Sequence, residues 1–165
     1  MTTQLSFNPF ESTENSIDPL AKTAPTMSRQ ILWGILAVVS GVSVGGSVNM
    51  GLVTVGPLIV PLPEGADVST METLAESMEL MTPVNFLFPY LAHALGTLVG
   101  ATIAAALAAR GKVWFALGIG AFFQAGGSAA VTMLGGPMWF NVLDLTTAYY
   151  PMGLLGYFIF AKMNK

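Results

Sequence analysis

The chain has no cysteine and one histidine, and its charge is sparse: six Lys and Arg against nine Asp and Glu in 165 residues. Without cysteine there is no disulfide, no thiolate metal site and no cysteine nucleophile. The six basic residues form no cluster able to neutralise a phosphate backbone, so nucleic acid is not an expected partner. The starting motifs of nucleotide hydrolysis, zinc proteolysis and serine hydrolysis (GxxxxGKS or GxxxxGKT, HExxH, GxSxG) are missing as well. One His with no second His and no carboxylate at ligand spacing is poor metal chemistry. No enzymatic activity, cofactor or metal is therefore expected. Charged residues make up 9% of the chain, against roughly 25% in soluble domains, and hydrophobic ones 53%. Such a chain belongs in lipid.

Four apolar stretches follow Arg29, at about 30–56, 84–109, 113–134 and 138–161. Each has the roughly 20 residues needed to cross the hydrocarbon core, where only a helix satisfies its own backbone. The expectation is an all-α integral membrane protein of four transmembrane helices. Lys22, Arg29, Arg110, Lys112, Lys162 and Lys165 all fall on one side of these spans, while Glu64, Asp67, Glu72, Glu76 and Glu79 fall on the other. Basic residues beside spans stay cytoplasmic, so both termini are expected there, with Trp33 and Trp114 at the inner interface and Trp139 at the outer one.

Residues 1–28 are polar and Ser/Thr-rich, with no basic stretch leading into an apolar core, and read as a disordered cytoplasmic tail and not a signal peptide. Its Asn8–Pro9–Phe10 triplet is short enough to occur by chance. In the outer loop, 57–83, Ser69 and Glu72 have capping-box spacing, and Met71, Leu74, Met78 and Met81 recur at helical spacing opposite Glu72, Glu76 and Glu79. This predicts a short amphipathic helix whose methionine face packs on the bundle or a partner. Thioethers are soft ligands for Cu(I), but methionines at this spacing more often pack.

Trp33 to Ser47 and Trp114 to Ser128 both run from Trp through eleven residues to Gly-Gly-Ser, and then to Gly-Pro at 56–57 and 136–137. The shared pattern predicts a parallel repeat of two spans, related by an axis along the membrane normal. Gly41, Gly45 and Asn49, and likewise Gly96, Gly100 and Ala104, have the small-xxx-small spacing of close helix contacts. Gly45–Gly46 and Gly126–Gly127 fall at similar depth, so spans one and three are expected to meet there.

His93 lies roughly 15 Å inside span two, on a face with Thr97, Gly100 and Ala104, and Asp144 about 9 Å inside span four, on a stripe with Asn141 and Ala148. Ionisable groups within spans are costly and often paired, and the axial gap of about 6 Å can be bridged. Gln124 in span three and Asn49 near the end of span one complete a candidate intramembrane polar site. Three uses stand open. The residues could be structural glue, satisfying carbonyls that Pro89 and Pro151 release, a proton or ion relay, or, least of the three, a catalytic or metal site.

The stretches "FPYLAHALGTLVGATIAA", "FALGIGAFFQAGGSAAV" and "WFNVLDLTTAYYPMGLLG" together resemble a group of small, four-span bacterial membrane proteins, over about residues 83–156. The resemblance implies a multi-pass protein of the bacterial cytoplasmic (inner) membrane and no particular chemistry. The leading expectation is an accessory or structural subunit that binds another membrane protein besides lipid. The alternative is a small proton-coupled transporter or channel acting with copies of itself. A membrane enzyme comes third, since an Asp and a His can do acid/base work in contact.

Overall fold

Thr26 opens the first helix, its hydroxyl oxygen accepting the Arg29 N–H at 3.4 Å. The computed structural model describes residues 26–165. The expected tail, with Lys22 and the Asn8–Phe10 triplet, lies outside these but for its last three residues. Six α-helices follow: α1 Met27–Ile59, α2 Met71–Ser77, α3 Leu87–Leu107, α4 Lys112–Leu134, α5 Met138–Thr147 and α6 Tyr150–Met163, with one 3-10 turn, Pro83–Phe86, leading into α3. No strand occurs among the described residues. Three helical segments, Met27–Ile59, Pro83–Leu107 and Lys112–Leu134, are long and apolar enough to cross a membrane. The chain is all-α and has the build of a multi-pass membrane protein.

The expected fourth span is not one helix. It divides into α5 and α6, 10 and 14 residues long, and Pro151 accounts for the break. Its nitrogen cannot donate to the Thr147 carbonyl and its ring would strike that oxygen, so α5 ends at Thr147. In the first turn of α6 the missing N–H costs nothing. Ala148 N–H closes α5 on the Asp144 carbonyl at 2.9 Å, and Gly153 N–H starts α6 on the Tyr149 carbonyl at 2.7 Å. Pro57, by contrast, lies inside α1. The helix ends two residues later, where Val60 N–H closes it on the Gly56 carbonyl at 2.8 Å.

Spans one and three do meet beside Gly45, but through the Phe123 ring of α4, and Gly126 takes no part. Gly126 and Gly46 have no other atom within 4 Å of where a side chain would begin. Instead α1 meshes with α3, whose glycine stripe has the same spacing. A methyl group on Gly41 would lie 2.8 Å from the Gly100 carbonyl oxygen, and one on Gly45 2.6 Å from that of Gly96. Asn49 continues the seam, its Cβ lying against Gly96. The two Gly-Gly-Ser triplets are used differently: Gly45 packs in the first, whereas Gly127 packs in the second, against Tyr149.

α3 is the centre of the bundle. Its other side meets α6, where a methyl on Gly156 would fall 2.8 Å from the Leu98 carbonyl oxygen, and Ala101, Ala104, Ala105, Ala116 and Ile119 fill the space toward α4. At the basic end Lys112 Nζ donates to the carbonyls of Ala105 and Ala108 at 2.9 and 2.7 Å, closing α3, and sits 4.6 Å from the Phe160 ring. Carbonyls at a helix C-terminus favour such a cation. The same contact brings the end of α6 to the start of α4.

The short helix expected between the first two spans is α2, but its cap is Thr70 and not Ser69. The Ser69 N–H is taken by the Asp67 carboxylate at 2.8 Å, while Thr70 and Thr73 exchange N–H to hydroxyl bonds at 3.1 Å each. The helix stops at Ser77, whose buried hydroxyl accepts Asp67 N–H at 2.8 Å and donates to the Asp67 carbonyl at 3.0 Å. Met78 and Met81 therefore follow the helix, and Met71 is exposed.

Candidate functional site

α3 carries His93 less than two turns from its start, with Pro89 in the first turn, where no N–H is needed. α5 carries Asp144 in its last turn, beside the break. The two meet: His93 Nδ1 is 2.9 Å from both Asp144 carboxylate oxygens. The Tyr149 hydroxyl donates to the same carboxylate, at Oδ2, from 2.9 Å. In an unbroken helix a residue five positions on would point about 140° away. The break between α5 and α6 is what turns Tyr149 back onto Asp144.

Burial is nearly complete on the acidic side of the pair, with Asp144 2% and Tyr149 1% exposed, whereas the His93 side chain is 23% exposed. An imidazole and a phenol within hydrogen-bond reach compensate the burial of a carboxyl group that would be costly to leave unpaired. Gly127 of α4 makes room, since even a methyl there would collide with the Tyr149 hydroxyl. One turn nearer the start of α3, Tyr90 and Thr147 share a hydroxyl–hydroxyl bond of 3.0 Å, a second tie between α3 and α5.

The exposed side of His93 lines a cavity of about 470 Å³. Its walls come from the end of α1, the loop with α2, the start of α3, the end of α4 and from α5. Most of the lining is apolar, as with Val53, Leu74, Met78, Phe88, Val131 and Phe140, and its polar groups are few: His93, Asp144, Asn141, Asn85 and Thr54. An apolar hollow with a small set of converging polar groups is the usual form of a small-molecule site.

The remaining sequence-derived candidates divide. Asn141 lines the cavity, but its amide is engaged by the turn between α4 and α5, donating to the Gly135 carbonyl at 3.0 Å. Asn49 is absent from the lining and packs over Gly96. Gln124 is absent from it too; its Oε1 and the Oγ1 of Thr97, one turn beyond His93, are the two buried side-chain oxygens without a hydrogen-bond partner among the described residues. Of the packing glycines, Gly41, Gly45, Gly96, Gly100 and Gly127 make close contacts, and Gly46 and Gly126 do not.

Tyr149 is the member of the cluster that sequence reasoning missed. The signal available was a phenol inside an apolar run, two residues before a proline and five after the only carboxylate in a span. The other described carboxylates, Glu64, Asp67, Glu72, Glu76 and Glu79, all belong to the loop between α1 and α3. Hydrogen bonds from Ser69, side chain first and then backbone, hold the Asp67 carboxyl below the usual carboxylate range. Chemically, the cluster can hold one proton more or fewer: it is neutral when imidazolium faces carboxylate and carries one negative charge when the imidazole is neutral. No known protein family, curated protein or solved structure matches the chain.

Proposed function

We propose that this chain is a small proton-coupled transport protein of the bacterial cytoplasmic membrane, working as a homo-oligomer, in which the His93–Asp144–Tyr149 cluster exchanges a proton as a solute occupies the cavity. The observation that carries this reading is the position of the cluster, at a helix break and on the wall of a cavity. Interrupted helices at membrane depth are tolerated where they are buried in protein or line a hollow, and there they commonly bind what is carried. In this reading α5 and α6 together make the fourth crossing, both termini are cytoplasmic and the cavity opens outward. The bacterial location rests on the resemblance of residues 83–156. The Trp-to-Gly-Pro likeness of the two halves supports a duplicated two-crossing unit, while the unequal use of their glycines weighs against close symmetry.

Solute-dependent proton movement is the test. The purified chain is placed in liposomes holding a pH-sensitive dye and offered cationic, neutral and anionic solutes in turn. At least one class is expected to move protons through the wild type and not through His93→Ala or Asp144→Asn. A second reading, an accessory subunit, draws on the bare surface of α1. Within the most apolar part of α1 17% of residues are buried, against 44% in the segment containing α3, leaving a long face for another membrane protein. Silence with every solute class, together with a stoichiometric foreign partner in native membranes, would replace the first reading by the second.

A further inference from the structure

The transport reading leaves the solute open, and the charge around the cavity narrows it. As a carboxylate, Asp144 can accept from both the Tyr149 hydroxyl and an Nδ1–H of His93. If the imidazole is neutral, the cluster then brings one uncompensated negative charge to an apolar hollow. Nothing else in the lining offsets it. α1, the loop with α2, and α4 contribute no charged or titratable side chain to the cavity, α5 contributes only Asp144, and α3 contributes only His93. Tyr90, the nearest other titratable group of α3, is occupied with Thr147.

The described basic residues, Arg29, Arg110, Lys112, Lys162 and Lys165, belong to the start of α1, the α3–α4 link and the chain end, away from the cavity. The adjoining hollow is acidic instead. Glu79 lines a second hollow of about 500 Å³ that shares Met78, Met81, Phe86 and Leu134 with the cavity wall. An anion would meet repulsion at the wall and from the adjoining hollow. A neutral solute would leave the charge of the cluster unbalanced. A proton neutralises it, and so does a cation, of which one with an apolar body best matches the walls.

We propose that the cavity binds a lipophilic cation, an organic ammonium or phosphonium with an apolar body, in exchange for the proton carried by the His93–Asp144 pair. The charge balances on both sides. With the proton on, imidazolium and carboxylate sum to zero; with the proton released to water, imidazole, carboxylate and guest cation sum to zero again. Methionines at the wall, flexible and polarizable, suit guests of varied shape. The inference rests on the transport reading for its purpose, though its binding step can be measured without flux.

Tetraphenylphosphonium is a suitable probe, titrated calorimetrically into the full chain in mild detergent, in buffers of differing protonation heat. Close to one proton released per cation bound is expected while the His93–Asp144 pair holds its proton. The apparent affinity should rise by up to tenfold per pH unit while His93 is charged and level off above that. Triphenylphosphine oxide, similar in its aryl groups but neutral, and tetraphenylborate, an anion, should bind at least tenfold more weakly, and Asp144→Asn should lose the cation. Equal binding of the neutral compound, or cation binding without proton release, overturns the inference; both are read on the wild type, so a misfolded variant does not blunt the test. Proton-releasing cation binding with no flux in liposomes would sink the transport reading and leave the site. Proton movement driven only by neutral or anionic solutes would do the reverse.

Discussion

Gly127 and Gly126 are adjacent and identical in type, yet their surroundings are opposite. A methyl on Gly127 meets the Tyr149 hydroxyl, and a methyl on Gly126 meets nothing within 4 Å. Gly127→Ala is therefore expected to push the phenol off Asp144 and lower stability by about 1–3 kcal/mol, the usual cost of overpacking. Gly126→Ala is expected to be neutral or to stabilise by up to about 1 kcal/mol, because alanine favours helix. Melting temperatures of the two variants in one detergent decide the matter, and a Gly127→Ala protein as stable as wild type would mean Tyr149 is not fixed where it stands. His93 and Asp144 are conspicuous in the sequence because ionisable residues stand out in apolar runs. Tyr149 is not, since tyrosine is ordinary near membrane interfaces and a contact five residues back is impossible in the unbroken helix that residues 138–161 suggest.

At the scale of elements, the glycine stripes are readable and their pairing is not. Small-xxx-small spacing marks both α1 and α3, and the Trp-to-Gly-Pro likeness points to α1 and α4 as equivalents. Nothing in one sequence says that equivalents need not be each other's closest partners. The partners of α1 are set by matching carbonyl and Cα surfaces at Gly41, Gly45, Gly96 and Gly100, where the backbones come closest. Gly96→Leu should accordingly wedge α1 from α3, since its first side-chain carbon alone would lie 2.8 Å from the Gly45 carbonyl oxygen. Gly51→Leu, on the same α1 but with nothing within 4 Å, should be tolerated. Detergent thermal denaturation is expected to show a large drop for the first and little change for the second. Similar melting of the two would refute the α1–α3 seam. The loop helix shows the same limit: a Thr70–Thr73 cap and a Ser69–Glu72 cap are one residue apart, and the choice follows from Asp67 claiming the Ser69 N–H, a contact spacing alone does not rank.

For the whole molecule, charge asymmetry is the most legible property, because it depends only on where basic and acidic residues lie relative to the apolar runs. The structure gives it physical ends. Lys112 of α4 lies against Phe160 of α6, while α1, the loop with α2, α4 and α5 enclose the cavity at the opposite end. At 1.5 Å per residue α5 is about 15 Å long and α6 about 21 Å, so neither crosses a hydrocarbon core of about 30 Å alone, yet end to end they return along the length of α4. If they form a crossing, Ser69 and Lys165 must lie on opposite sides of the membrane. A chain without cysteine makes this directly measurable. A membrane-impermeant maleimide applied to intact cells should label Ser69→Cys and should reach Lys165→Cys only after permeabilisation. Labelling of both from outside would make α5 and α6 a re-entrant pair and remove the fourth crossing. The reverse pattern, with Ser69→Cys protected, would turn the cavity toward the cytoplasm.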